Sequence, residues 1–125
     1  MHQLSKFAPL IARILIGGFF IMAGLGKIAD VAGTAGYMQS VGLPGILVWP
    51  AIIFEVVLGL MIVVGFQTRL AALAGAAFCV VTAVLFHTNF ADQIQMIMFL
   101  KNFAIAGGFL MIFAHGAGAF AIDKA

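Results

Sequence analysis

Charged residues are scarce in this sequence. Six Lys or Arg and four Asp or Glu make up 8% of its 125 residues, whereas 65% are hydrophobic and the mean hydropathy is +1.23. A soluble domain is about 45–50% apolar and ~25% charged. So short a chain cannot bury this much apolar surface in its own interior, so lipid must cover it. The basic residues are scattered among hydrophobic runs, which excludes a nucleic-acid-binding patch.

Cysteine occurs once, at Cys79, which excludes an internal disulfide and a cysteine metal cluster. The sequence also has no Cys-x-x-Cys pair, no haem-attachment motif and no Ser/His/Asp set. His87, His115 and Glu55 fall at different predicted depths, so no metal site is expected. We therefore predict no intrinsic cofactor.

Four hydrophobic runs are long enough to cross a bilayer, which takes about 20 residues at ~1.5 Å rise each. No segment alternates like a barrel strand. The sequence predicts an all-α fold, an integral membrane four-helix bundle in one domain over residues 1–125. The predicted spans are about 8–28, 46–66, 69–87 and 94–117. The first run is too long for a signal peptide, contains Arg13 and lacks a small-x-small cleavage site, so it is expected to be a retained span.

Residues 30–45 are rich in Gly, Pro and polar residues and predict a loop. A short interfacial helix around Thr34–Val41 is expected within it, with Tyr37 at the headgroups. An even number of spans puts both termini on one side of the membrane. Basic residues favour that side, with Lys6, Arg13, Arg69 and Lys124 against Lys27 and Lys101, which predicts cytoplasmic termini.

Polar and small residues share one face of each predicted span, which predicts a tight bundle with an internal polar seam. In order along the chain these faces are Arg13, Gly17, Phe20, Gly24 and Lys27; Glu55 and Gly59; Arg69, Ala72, Ala76, Ala83 and His87; and Lys101, Ala104, Gly108, Ile112 and His115.

Glu55 is the one charge inside the second span. A carboxylate at that depth costs about 2.5–3.5 kcal/mol unless it is protonated, paired or facing a wet interior. Counted from the same membrane face, Glu55 and Lys101 lie about 13 and 10 Å deep, which predicts a buried Glu55–Lys101 pair. Such a pair is consistent with proton transfer or headgroup binding, and equally with an ion pair that fixes helix register.

The other polar residues are expected in two groups. Lys27, His87, Asn89 and Asn102 are expected to form a polar mouth above the pair. Arg13 and Arg69 lie toward the opposite face, at the starts of their helices, where their side chains can snorkel to the membrane surface.

Several motifs, taken in order, resemble the DoxX family of small four-helix bacterial membrane proteins. They are 13–19 (RILIGGF), 24–27 (GLGK), 42–44 (GLP), 55–59 (EVVLG), 65–72 (GFQTRLAA), His87 and 101–102 (KN). The resemblance implies an inner-membrane protein with both termini in the cytoplasm. Some relatives belong to thiosulfate:quinone oxidoreductase or other redox assemblies. It thus implies a quinone or substrate pocket lined by Glu55, Lys101, Lys27 and His87, in what is at most a membrane subunit of an oxidoreductase.

Three functional hypotheses follow. The first is a membrane subunit of a quinone-associated redox assembly, which requires a protein partner. The second is a small transporter or permeation subunit that acts as a homo-oligomer. The third is a structural or assembly protein whose ion pair fixes the bundle. The lipid bilayer is a partner in all three, and nucleic acid in none.

Overall fold

The computed structural model describes residues 2–123, and side chains from Leu4 onward. These residues form α-helices and one short 3-10 turn, with no strand among them. The elements are α1 (His2–Ala29), α2 (Val31–Ser40), the 3-10 turn (Gly45–Leu47), α3 (Val48–Val64), α4 (Thr68–Phe86) and α5 (Gln93–His115). Lys124, one of the four basic residues expected on the side of the termini, lies outside the described residues.

The helices α1, α3, α4 and α5 are long and apolar enough to cross a membrane, which confirms the all-α membrane bundle. Their outer faces are apolar and open, as at Leu15, Met22, Leu70 and Ile94. The short helix α2 lies in the segment expected to hold an interfacial helix. Side-chain caps start two of the helices, since Asp30 accepts a hydrogen bond from Gly33 N–H and Asp92 accepts one from Ile94 N–H.

The residues after α5 turn back beneath the bundle and form hydrogen bonds with the connection between α3 and α4. Ile122 N–H donates to Val64 O at 3.0 Å, and Asp123 N–H donates to Gly65 O at 2.8 Å. The Asp123 carboxylate then accepts from the Thr68 hydroxyl and from the N–H groups of Thr68 and Gln67. These hydrogen bonds, that of the Thr68 hydroxyl first, lower the pKa of Asp123. The chain's last segment thus caps α4, whose own N-cap residue supplies no side-chain cap.

Two helix pairs, α1 with α3 and α4 with α5, make up the bundle, and the pairs touch each other only lightly. Glycine allows the close approach of α1 to α3. A Cβ on Gly17 would lie 2.7 Å from the carbonyl oxygen of Gly59, and a Cβ on Gly59 would lie 2.7 Å from that of Gly17. A Cβ on Gly24 would lie 2.6 Å from the Val56 Cγ2 methyl group and 3.3 Å from the carbonyl oxygen of Ile52, so Gly24 also lies close against α3. The small residues therefore fix which helices are neighbours.

Gly17→Ala is expected to destabilise the protein by about 1–3 kcal/mol, because the new methyl group meets backbone that cannot move aside cheaply. Gly18→Ala is the matched control, since a Cβ at Gly18 meets nothing within 4 Å. Both changes add one methyl group to α1, so helix propensity cancels between them. The measurement is reversible unfolding in mixed micelles. Equal stabilities of the two variants would contradict this account of the α1–α3 contact.

The half of the bundle nearer the termini is filled by apolar side chains. Phe20 lies at its centre, with its ring edge-on to Phe109 and Phe78 at centroid separations of 5.3 and 5.9 Å. Ile62 and Phe109 are fully buried there. The predicted face of α1 lies inward over its whole length. The predicted face of α5 is wrong in part: Ile112 is buried as predicted, but Ala104 and His115 are exposed. Ala106 and Phe109, which lie outside the predicted face, are buried instead.

Candidate functional site

The other half of the bundle encloses a cavity of about 600 Å³ between the two helix pairs, beneath α2. Most of its wall is apolar and much of it aromatic. Its aromatic residues are Phe19, Phe20, Tyr37, Phe54, Phe78 and Phe86, and its main polar residues are Lys27, Glu55, Thr82, His87, Lys101 and Asn102. The cavity thus brings together all five residues predicted to line a polar site.

The acid in this cavity is paired with Lys27, not with Lys101. Lys27 Nζ lies 2.9 Å from Glu55 Oε1 in the one salt bridge of the described residues. The predicted Glu55–Lys101 pair is wrong because depth alone does not say which helices are neighbours. Gly24 brings α1 against α3 beside Glu55, so Lys27, about one turn further along α1, reaches the carboxylate. Lys101 belongs to α5, which packs against α4.

Only one of the two carboxylate oxygens of Glu55 is hydrogen-bonded within the described residues. Its side chain is 6% exposed, and its Oε2 has no hydrogen-bond partner among the described residues. A buried acceptor without a partner costs about 1–3 kcal/mol, and more when it is charged. Because Glu55 lines the cavity, a hydrogen-bond donor bound there could satisfy this oxygen.

Lys101 and Asn102 enter the cavity from α5. The Lys101 ammonium lies 5.0 Å from the centroid of the Phe19 ring, a cation–π contact with α1. It forms no salt bridge within the described part of the chain. Asn102 Nδ2 donates to Thr82 Oγ1 at 3.1 Å, and this hydroxyl in turn donates to Phe78 O. Lys101 is therefore a cation free to meet a ligand, whereas Asn102 is held against α4.

A chain of hydrogen bonds closes the cavity on the side of α2. His87 Nδ1 lies 3.1 Å from Gln95 Oε1, Gln95 Nε2 donates to the Tyr37 hydroxyl, and that hydroxyl donates to Phe86 O at 2.8 Å. His87 therefore lies near the predicted mouth, but Asn89 does not line the cavity. Tyr37 and Gln95 were not predicted as site residues, since no spacing in the sequence links α2 to the start of α5.

A second polar cluster lies at the opposite end of the bundle. Arg13 is fully buried, which corrects the expectation that it snorkels to the surface. Its guanidinium donates to Val63 O at 2.9 Å, to Ile62 O at 3.4 Å and to Phe120 O. The returning last segment covers it. Arg69 is exposed and donates to the carbonyls of Phe113 and Ala114, at the end of α5.

The described residues contain no group of three or more His, Cys, Asp or Glu that could hold a metal ion. Cys79 is a buried free thiol.

Comparison with known proteins gives matches over most of the chain. The DoxX family model matches residues 8–88. The inner membrane protein YqjF of Escherichia coli (strain K12) is 46% identical over 124 residues, covering 99% of this chain and 95% of that protein. Inner membrane protein YphA of the same organism is 38% identical, covering 92% and 87%. CatD of Bacillus subtilis (strain 168), named as a candidate oxidoreductase, is 27% identical over 70 residues, covering 56% and 52%. No solved structure matches the chain.

Proposed function

Because this chain belongs to the DoxX family of inner-membrane proteins, we propose that it is the quinone-binding membrane subunit of a redox assembly. The cavity beneath α2 is the proposed site. The observation that carries this proposal is a buried Glu55 oxygen that has no hydrogen-bond partner among the described residues and lies in an aromatic-walled cavity. The name of CatD, which matches a shorter stretch, gives further support. We also propose that both termini are cytoplasmic, since Lys6, Arg13 and Arg69 outnumber Lys27 and Lys101.

The side chains of the cavity fit a quinone head. Its volume of about 600 Å³ lies in the usual range of ligand sites, about 300–1,000 Å³. Phe19, Phe54 and Phe78 offer apolar ring faces, as a flat unsaturated ring requires. Lys101 is a donor suited to a carbonyl oxygen, and Glu55 Oε2 is an acceptor suited to a ring hydroxyl. These two groups come from α5 and α3, on different helix pairs.

A bound quinone would supply two-electron redox chemistry coupled to the gain or loss of two protons. The protein's own residues bind, orient and handle a proton. Glu55 would accept a proton at Oε2 from a bound ring hydroxyl and return it, and Lys27 would stabilise the charged carboxylate while the proton is absent. The Lys101 ammonium would orient a quinone by donating a hydrogen bond to a carbonyl oxygen of the ring. The electrons would pass to or from a partner redox protein, which the proposal requires, and the second proton would be exchanged with water.

Permeation through the bundle is the weaker proposal. The polar cavity does not continue toward the termini, since Phe20, Ile62 and Phe109 fill the next layer and are almost fully buried. Four helices that pack through glycine leave little space for an aqueous path.

The proposal predicts that quinone co-purifies with the protein and that Glu55→Gln depletes it. Loss of a hydrogen bond to a charged group is worth about 1.5–3 kcal/mol, so we expect roughly a tenfold to hundredfold weaker binding. The measurement is mass spectrometry of organic extracts after purification in mild detergent. Asp92→Asn is the matched control, because it removes a carboxylate outside the cavity and retains a capping side chain for α5. Equal quinone content in wild type and Glu55→Gln would reject the site.

A further inference from the structure

The cavity wall is open toward lipid between α3 and α4. Four cavity-lining residues there are also exposed on the outer surface: Leu47 in the 3-10 turn, Pro50 in the first turn of α3, and Val81 and Leu85 on α4. Val81 is 54% exposed and Leu85 44%. All four side chains are apolar. The gap exists because α3 packs closely with α1 and α4 with α5, so α3 and α4 touch only lightly.

Aromatic contacts bound this window along the bundle axis. Toward the termini, the rings of Phe54 on α3 and Phe78 on α4 lie 4.8 Å apart between centroids, with their planes tilted by 31°. Toward α2, Tyr37 and Phe86 lie 5.6 Å apart and are also joined by the Tyr37 hydrogen bond to Phe86 O. Between them, Phe78 to Leu85 span about 10 Å along α4. The opening is therefore about two helical turns high.

The other routes into the cavity are obstructed by polar contacts. Between α1 and α5, the Lys101 ammonium reaches across to the Phe19 ring. On the aqueous side, Gln95 and Tyr37 hold α2 over the cavity. Of these three routes, the α3–α4 window is the one that crosses no contact of a charged or hydrogen-bonding side chain among the described residues, and its exposed residues are apolar.

We infer that the site is specific for a membrane-dissolved quinone with a hydrocarbon tail, whose ring lies beside Glu55 and whose tail leaves through the α3–α4 window. This inference rests on the proposed quinone site and adds the ligand class and the route of entry. A tail in the window contacts Val81 and Leu85 and continues into lipid, so it loses no hydrophobic environment on binding. A ring without a tail lacks these contacts, so a change in the window is expected to alter its binding little.

The test compares two probes with the same ring, decylubiquinone and the same quinone without the decyl chain. Val81→Trp fills the window and is expected to weaken decylubiquinone binding by about tenfold or more, with little effect on the tail-less ring. Val84→Trp is the matched control, since Val84 is equally exposed on α4 but does not line the cavity. Binding is measured by titration of the protein in lipid nanodiscs. Leu85→Trp, on the same window, provides a second variant.

The outcomes separate the inference from the proposed function. Selective loss of decylubiquinone in Val81→Trp and Leu85→Trp, with both probes weakened in Glu55→Gln, supports both. Binding of decylubiquinone that is unchanged in the window variants, or weakened equally with the tail-less ring, overturns the window and leaves the Glu55 site standing. Failure of both probes to bind the wild type overturns the site and the window together.

Discussion

Replacing Arg13 by leucine is expected to cost about 3 kcal/mol or more of unfolding free energy. The reason is that three carbonyl groups, the buried one of Ile62 and the partly buried ones of Val63 and Phe120, would lose their donor together. Each buried acceptor left without a partner costs about 1–3 kcal/mol. Ile62 and Val63 lie in the last turn of α3, whose carbonyls have no partner within the helix. Removing the buried charge itself offsets part of this cost.

Arg69→Leu is the matched control for this prediction. Arg69 also donates to carbonyls at a helix end, those of Phe113 and Ala114, but it is exposed, so water can replace it. We expect its loss to cost less than about 1 kcal/mol. Arg13→Lys is expected to fall between the two, because an ammonium cannot span three acceptors as a guanidinium does. The measurement is an unfolding titration in mixed micelles. Similar costs for Arg13→Leu and Arg69→Leu would show that burial of Arg13 is not what matters.

The burial of Arg13 could not be predicted from the sequence, because it depends on contacts with residues far away in the chain. Its position near the start of the first span is typical of a side chain that snorkels to the membrane surface. What buries it is the segment after α5, which the sequence presents only as a continuation of the last span and a short tail. Hydrogen bonds from Ile122 and Asp123 to the end of α3 hold that segment in place. No local pattern predicts contacts between residues so far apart in the chain.

The features within single helices were predictable. Span length and hydropathy predict four membrane helices, and the spacing of Gly17, Phe20 and Gly24 predicts the inward face of α1. Periodicity predicts the buried face of α5 less well. Small residues lie on several sides of this helix, at Ala104, Ala106 and Gly107, so more than one face is suitable for close packing. Only Ala106 of these is buried.

The sequence predicted which polar residues lie together in the candidate site, but not which lysine pairs with Glu55. Glu55, Lys27, Lys101, His87 and Asn102 were all identified as polar groups at one end of the bundle, and the cavity gathers them. Which lysine binds Glu55 depends on helix adjacency, and the Gly17–Gly59 contact decides that. The sequence contains both glycines, but their spacing says only that each helix has a close-packing face, not that the two faces meet.

Lys27→Met is expected to be the most destabilising change at the cavity end, at about 3–5 kcal/mol, because it leaves the Glu55 carboxylate buried without a cation. The double variant Lys27→Met with Glu55→Met is expected to recover wild-type stability or exceed it by about 1–4 kcal/mol, since apolar side chains of similar size often replace a buried ion pair without loss. Lys6→Met, which removes an exposed lysine, is the control for lost charge.

Unfolding free energy and quinone content would be measured on the same preparations. A stable double variant without quinone assigns the pair to ligand binding. A double variant as unstable as Lys27→Met would instead show that the fold itself requires the pair. The main role of the ion pair would then be structural.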